Sequence, residues 1–180
     1  SSRISLAFLF VPMALGRSTY SLIIEAKKNN VVDYQNKVKK LLNTLALLGY
    51  LIIIPILILA PFIIKTLYGQ AYLQAIPVLY VQIFSILFIF LGSGRNIWVI
   101  TENLSKFLFI ADLFGLIVNV LLNYYFIKHF GVVGAATATL ISYIFTYILM
   151  NLFYKKTITI LLYQIRALML IDLFIYLRKN

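Results

Sequence analysis

The sequence predicts an all-α protein, a polytopic bundle of transmembrane helices with five spans and a tail that is either a sixth span or an interfacial helix. Three observations predict it. Of 180 residues, 63% are hydrophobic and 12% charged, whereas a soluble domain is about half apolar and a quarter charged. The apolar residues fall in runs close to the ~20 that a helix needs to cross a bilayer. The basic residues, which bring the net charge to +11, lie between those runs and not along one face. That pattern orients helices in a membrane, and nucleic acid is not an expected partner.

The first span runs from Ser5 to about Ile24 and carries Pro12 and Arg17. Glu25 to Lys40 follows as a basic, water-exposed loop with Lys27, Lys28, Lys37, Lys39 and Lys40. The second span, Leu41 to about Ile64, contains Pro55 and Pro61, which lack amide donors and should kink it. After a short turn at Lys65 to Gln70, the third span begins near Ala75 and is apolar to Leu91. There Gly92-Ser93-Gly94-Arg95-Asn96 interrupts it before Ile97 to Thr101. The fourth span, Phe107 to Ile127, ends in the turn Lys128-His129-Phe130-Gly131, and the fifth runs from Val132 to Tyr154. Residues 157–176 hold Arg166 and Asp172 within an apolar stretch and form the sixth span or the interfacial helix. Nothing divides the chain, so residues 1–180 read as one membrane domain.

Cytoplasmic loops carry the excess of Lys and Arg. If the spans alternate, ten basic residues fall on one side: Arg17, the five lysines before Leu41, Arg95, Lys106, Lys155 and Lys156. Only Lys65 and Lys128 fall on the other, flanked by Tyr68, Tyr72, Tyr124 and Tyr125, which suit an outer aromatic belt. The loop 25–40 is therefore expected in the cytoplasm.

Polar groups inside the spans are the functional candidates, because a charge at mid-helix costs about 2.5–3.5 kcal/mol on insertion scales. Arg95 is either a cavity charge or an orientation charge at the cytoplasmic interface. Arg17 is either a snorkelling residue or a second cavity charge. Gln82 and Ser85 share a face that lines a cavity or packs. Asp112, Gly115, Asn119 and Asn123 share one helix face that lipid would not tolerate. The asparagines read as helix glue, worth about 0.6 kcal/mol each. Asp112 reads either as an interfacial partner for a base or as an ion-coupling site. Gly134 and Ala138 belong to a stripe of small residues suited to close helix packing.

Several chemistries are disfavoured. There are no cysteines and one histidine, so no thiolate chemistry and no expected metal site. Paired Asp-rich motifs for magnesium and a Gly-x-x-x-x-Gly-Lys nucleotide loop are both missing, and so is a filter loop. The expectation is a transporter that is not an enzyme and needs no cofactor.

From Asn119 to Tyr143 the residues Asn119-Val120-Leu121-Leu122-Asn123, Phe130-Gly131-Val132-Val133-Gly134-Ala135-Ala136-Thr137-Ala138-Thr139 and Ser142-Tyr143 form a distinctive series. It resembles the C-terminal part of bacterial polysaccharide flippases, the O-antigen and capsule repeat-unit exporters of the multidrug/oligosaccharidyl-lipid/polysaccharide exporter superfamily. Phe10-Val11-Pro12 with Arg17, the basic loop, Leu67-Tyr68-Gly69 with Tyr72 and Ala75, and the helix of Arg95 are similar in the same order. The turn Phe126-Ile127-Lys128-His129-Phe130-Gly131 departs from the proline and tyrosine that the family often has before the glycine.

The resemblance covers roughly residues 5–154. It implies the C-terminal half-bundle of a longer transporter in the bacterial inner membrane, a reading that the start at Ser1-Ser2-Arg3 without an initiator methionine also suggests. It further implies alternating access for an undecaprenyl-diphosphate-linked oligosaccharide, with the lipid bilayer and glycan-polymerase components as further partners. Arg95 and then Arg17 would bind the diphosphate, because guanidinium grips phosphate oxygens bidentately. Gln82 would line the cavity and Asp112 would carry ion coupling. The rival readings are an organic-cation antiporter of the same superfamily and a non-transporting scaffold for glycan assembly.

Overall fold

The structure, a computed structural model, describes residues 10–172 and is all-helical there. Its α-helices are α1 (Phe10–Asn29), α2 (Val31–Tyr68), α3 (Ile76–Thr101), α4 (Ser105–Tyr147) and α5 (Ile158–Leu168). Among the described residues, three helices are long and apolar enough to cross a membrane: Val31–Thr66, Gln70–Thr101 and Ser105–Leu152. The expected first span begins outside the described residues, at 5–9, and the expected tail helix ends outside them, at 173–176. The described part of the first span, α1, is not among the three apolar helices. Arg17, Glu25, Lys27 and Lys28 stand within its 20 residues.

The segment expected as a loop, 25–40, is helical apart from Asn30. α1 continues past Ile24 to Asn29, and α2 already begins at Val31. Asn30 makes so short a corner workable. Its backbone is extended, and its Oδ1 accepts from the amides of Val32 at 2.8 Å and Asp33 at 3.3 Å, two of the donors a helix start leaves free. Lys37 then pairs with Asp33 one turn back at 2.9 Å. Polar residues at these spacings mark a helix outside the apolar zone as readily as a loop. The 38 residues of α2 extend roughly 57 Å, well past a hydrocarbon layer of about 30 Å. α2 also passes through Pro55 and Pro61 without ending.

Nor is the third span interrupted. α3 runs unbroken from Ile76 to Thr101, and the glycines at 92 and 94 are where its neighbours come close. A Cβ at Gly94 would lie 2.8 Å from Leu42 Cδ2, and one at Gly49 on α2 would lie 3.0 Å from Leu87 Cδ1. As one index rises the other falls, so α2 and α3 are antiparallel. On the other side, a Cβ at Gly92 would lie 2.5 Å from Tyr147 Cγ. The core between these helices holds Leu42, Leu45, Ala46, Ile83, Phe90, Leu91 and Val99, each at most 1% exposed.

α4 is two limbs. At Gly131 the backbone turns to φ 57°, ψ −135°, outside the helical region. Gly115 packs directly against Thr146, and Gly134 against the carbonyl of Phe126. These pairs also run in opposite order, so the second limb folds back antiparallel on the first. The turn falls where Lys128 to Gly131 is expected to end the fourth span.

After Tyr147 two short 3-10 turns, Leu149–Leu152 and Lys155–Thr157, lead into α5. The tail was expected to span the bilayer or lie on its surface. Its described helix has 11 residues, about half a span, and buries Ile160, Leu161, Gln164 and Ala167 against the bundle. Tyr50 Oη on α2 donates to the Leu168 carbonyl at 2.7 Å, and Asn43 Nδ2 to Asp172 at 3.2 Å.

The basic segments gather at one end of the bundle. Lys27 Nζ, at the end of α1, donates to the Thr101 carbonyl at 2.7 Å and pairs with Glu102 at 3.0 Å. Tyr34 Oη donates to Glu102 at 2.6 Å. Tyr154, beside Lys155 and Lys156, stacks on Phe107 beside Lys106 with ring centroids 5.8 Å apart.

Candidate functional site

Arg95, on α3, is 0% exposed and meets the turn after α4 on one side and Phe107 at the start of α4 on another. The flanking small residues of α3 allow this, because Gly92 and Gly94 bring both neighbours against the helix on either side of it. Its Nε donates to Asn151 Oδ1 at 3.0 Å and its Nη1 to Asn96 Oδ1 at 3.2 Å. The guanidinium carbon sits 5.0 Å from the centre of the Phe107 ring, a cation–π contact. Nη2 has no partner, and Arg95 forms no ion pair among the described residues. The acidic group within electrostatic reach is Asp112.

Asn151 carries the contact onward. It stands in the 3-10 turn after α4, and its Nδ2 donates to the Tyr147 carbonyl and to Gln164 Oε1, both at 2.9 Å. Gln164 Nε2 then donates to the Tyr147 carbonyl at 3.0 Å and the Leu91 carbonyl at 3.4 Å. Thr157 Oγ1 donates to the Asn151 carbonyl at 2.9 Å. Asn151, Thr157 and Gln164 are all 0% exposed, like Arg95. This network satisfies the Tyr147 carbonyl left free where α4 ends, and it ties three elements to one buried cation.

Asn151, Gln164 and Thr157 were not singled out from the sequence. The available signal was an amide within an otherwise apolar run, Ile148 to Phe153 for Asn151 and Ile160 to Ile165 for Gln164. It is the same signal that draws attention to Asn119.

A second polar feature lies between the limbs of α4. Asp112, Gly115 and Asn119 on the first limb face Thr139, Ser142, Tyr143, Thr146 and Tyr147 on the second across a cleft of about 390 Å³. Thr139, Ser142 and Thr146 each donate to the carbonyl four residues back, at 3.0, 2.7 and 2.8 Å. Their donors are thus engaged within the helix, and oxygen lone pairs are left for the cleft. Asn123 does not bond across the limbs. Its Nδ2 donates to Asn119 O and Oδ1 on its own helix, both at 2.9 Å. Gly134 and Ala138 are buried where the second limb packs.

The remaining candidates stand apart. Arg17 is exposed in a groove of about 440 Å³ between α1 and α3, which Asn96 also lines. Gln82 is half-buried, roughly 20 Å from Arg95 along α3 at about 1.5 Å per residue. Arg95, Arg17 and Gln82 therefore do not converge on one cavity in this conformation. No cluster of His, Cys, Asp or Glu among the described residues could hold a metal ion.

No protein-family model, curated protein or solved structure matches the chain.

Proposed function

We propose that the chain forms one helical bundle of a bacterial inner-membrane transporter that moves undecaprenyl-diphosphate-linked oligosaccharide repeat units from the inner to the outer leaflet by alternating access. In this reading it crosses the membrane five times, through α1, α2, α3 and the two limbs of α4, and catalyses no reaction. The observation that carries it is buried Arg95. A simple anchor has no use for a cation that is 0% exposed and, among the described residues, lacks an ion pair and leaves one Nη group free. A transporter does, because a polar junction between packed helices has a second arrangement available to it. The sequence resemblance supports the substrate class.

Arg17 is the accessible arginine for the diphosphate, and Arg95 is the lock at the junction of α3, α4 and α5. Arg95 would meet substrate only after its bond to Asn151 opens. The half-buried Gln82 belongs to the part of α3 far from that lock, and Asp112 is the carboxylate for coupling to an ion gradient. Glycan-polymerase components would receive the exported units.

One observation favours a second reading. The Asp112 cleft is lined by a carboxylate, hydroxyls and an amide, with no basic residue, a lining that suits an organic cation. Deleting the gene separates the two. Loss of surface polysaccharide with lipid-linked repeat units accumulating on the cytoplasmic face is expected. Unchanged surface glycan with heightened drug sensitivity would transfer the assignment to cation export.

A further inference from the structure

The α3–α4 turn and the segment after α4 enclose two joined hollows. The first, about 390 Å³, is lined by Asn103 and Leu104 in the α3–α4 turn and by Ser105 and Lys106 at the start of α4. The second, about 470 Å³, is lined by Phe114, Phe145, Met150 and Phe153. Phe107, Ile110 and Tyr154 line both, so the two are one site with a polar mouth and an apolar chamber. The chamber opens sideways, for Ile110 is 45%, Phe114 49% and Phe153 74% exposed. From Phe107 to Phe114 it runs about 10 Å along the first limb of α4, away from the basic end of the bundle.

The mouth is positive and lacks a counter-charge among the described residues. Lys106, Lys155 and Lys156 are exposed, and none has an ion pair among the described residues. Glu102, the acid beside the turn, is held by Lys27 and Tyr34. Asp112, further along α4, lines the cleft between the limbs and not this site. The N-terminus of α4 has no side-chain cap, so its first amides add to the positive potential. The shared wall is rigid, since Phe107 stacks on Tyr154 and is backed by the Arg95 guanidinium at 5.0 Å.

We infer that this is a lateral binding site for an anionic phospholipid of the cytoplasmic leaflet, with the headgroup phosphate at Lys106 and the α4 N-terminus and an acyl chain in the aromatic chamber. Charge complementarity at the mouth and an apolar chamber at acyl depth fit an amphiphile better than free phosphate, which has no use for the chamber. The site requires a membrane but not any particular transported substrate.

The test places a reporter in the chamber. Phe153→Trp, at an exposed position, is reconstituted in vesicles of brominated phosphatidylglycerol or brominated phosphatidylcholine, and tryptophan quenching is measured against the parent protein, whose single Trp98 is buried. Quenching should favour phosphatidylglycerol. Lys106→Gln in the same background should reduce that preference about fivefold, the size of one lysine contact with an anionic headgroup. Lys128→Gln, at the opposite end, should leave it unchanged. Equal quenching by both lipids, or none because another helix or a second copy fills the chamber, overturns the inference. So does a preference that survives Lys106→Gln. Inorganic phosphate should not compete at millimolar concentration, and competition would make the mouth an ion site only.

Discussion

Arg95 on α3 donates from Nε to Asn151 Oδ1 at 3.0 Å, 56 positions away in the chain, with both side chains 0% exposed. The bond joins α3 to the 3-10 turn that follows α4. Leaving a buried guanidinium short of a partner costs more than removing both groups, so the pair should behave non-additively. Asn151→Leu alone should destabilise the protein by about 1–3 kcal/mol. Arg95→Leu with Asn151→Leu should cost less than the sum of the single changes, with a coupling of about 1–3 kcal/mol. Thermal unfolding of the four proteins in detergent measures this, and strict additivity would mean that the bond carries no energy of its own.

Gly115 and Thr146 hold the two limbs of α4 together. A methyl group at Gly115 would collide with the Thr146 hydroxyl, so Gly115→Ala should destabilise by about 1–3 kcal/mol through overpacking. Thr146→Ala removes the obstructing hydroxyl and should restore most of that loss. If Gly115→Ala is harmless by itself, the limbs do not approach as closely as described.

Gly131 tests the turn between those limbs by a different route. No atom lies within 4 Å of where its Cβ would be, but its φ is +57°. The cost of substitution is therefore backbone strain and not a clash, about 1–3 kcal/mol for Gly131→Ala, because φ +57° with ψ −135° is a region that glycine alone adopts readily. Gly131→Asn should cost about as much, because ψ −135° lies outside the left-handed α region in which asparagine is tolerated. Melting temperatures of both variants, each below the parent by a similar amount, check it.

The all-helical class was readable from the apolar runs, and so was the turn at Lys128 to Gly131, because burying backbone in lipid leaves few other options. What failed had a common cause. Gly92 to Asn96 read as an interruption, since glycine and a charge disfavour a lone helix in lipid. In the bundle the same glycines admit Leu42 and Tyr147, and the charge is taken up by Asn151 from a distant segment. Likewise Glu25 to Lys40 read as loop from polarity, yet Asn30 caps a helix that extends beyond the apolar layer. Of the candidate site, the facing of Asp112 and Asn119 was visible in their spacing. Their partners Thr139, Ser142 and Thr146 came from the second limb, and no local pattern in the first predicts them.

The last prediction concerns which way the bundle sits. The chain has no cysteine, so single cysteines introduced at exposed sites report sidedness without background. Asn36 near the start of α2 and Lys156 after α4 lie at the basic end, whereas His129 lies at the turn of α4 between the limbs. With basic residues retained on the cytoplasmic side, Asn36→Cys and Lys156→Cys should react with an impermeant maleimide only in inverted vesicles. His129→Cys should react in intact cells. Asn36→Cys and Lys156→Cys must share one side if the two limbs of α4 each cross the bilayer, because α2, α3 and the limbs then add an even number of crossings between them. Opposite sidedness for these two would remove one limb from the membrane, whichever way the bundle points.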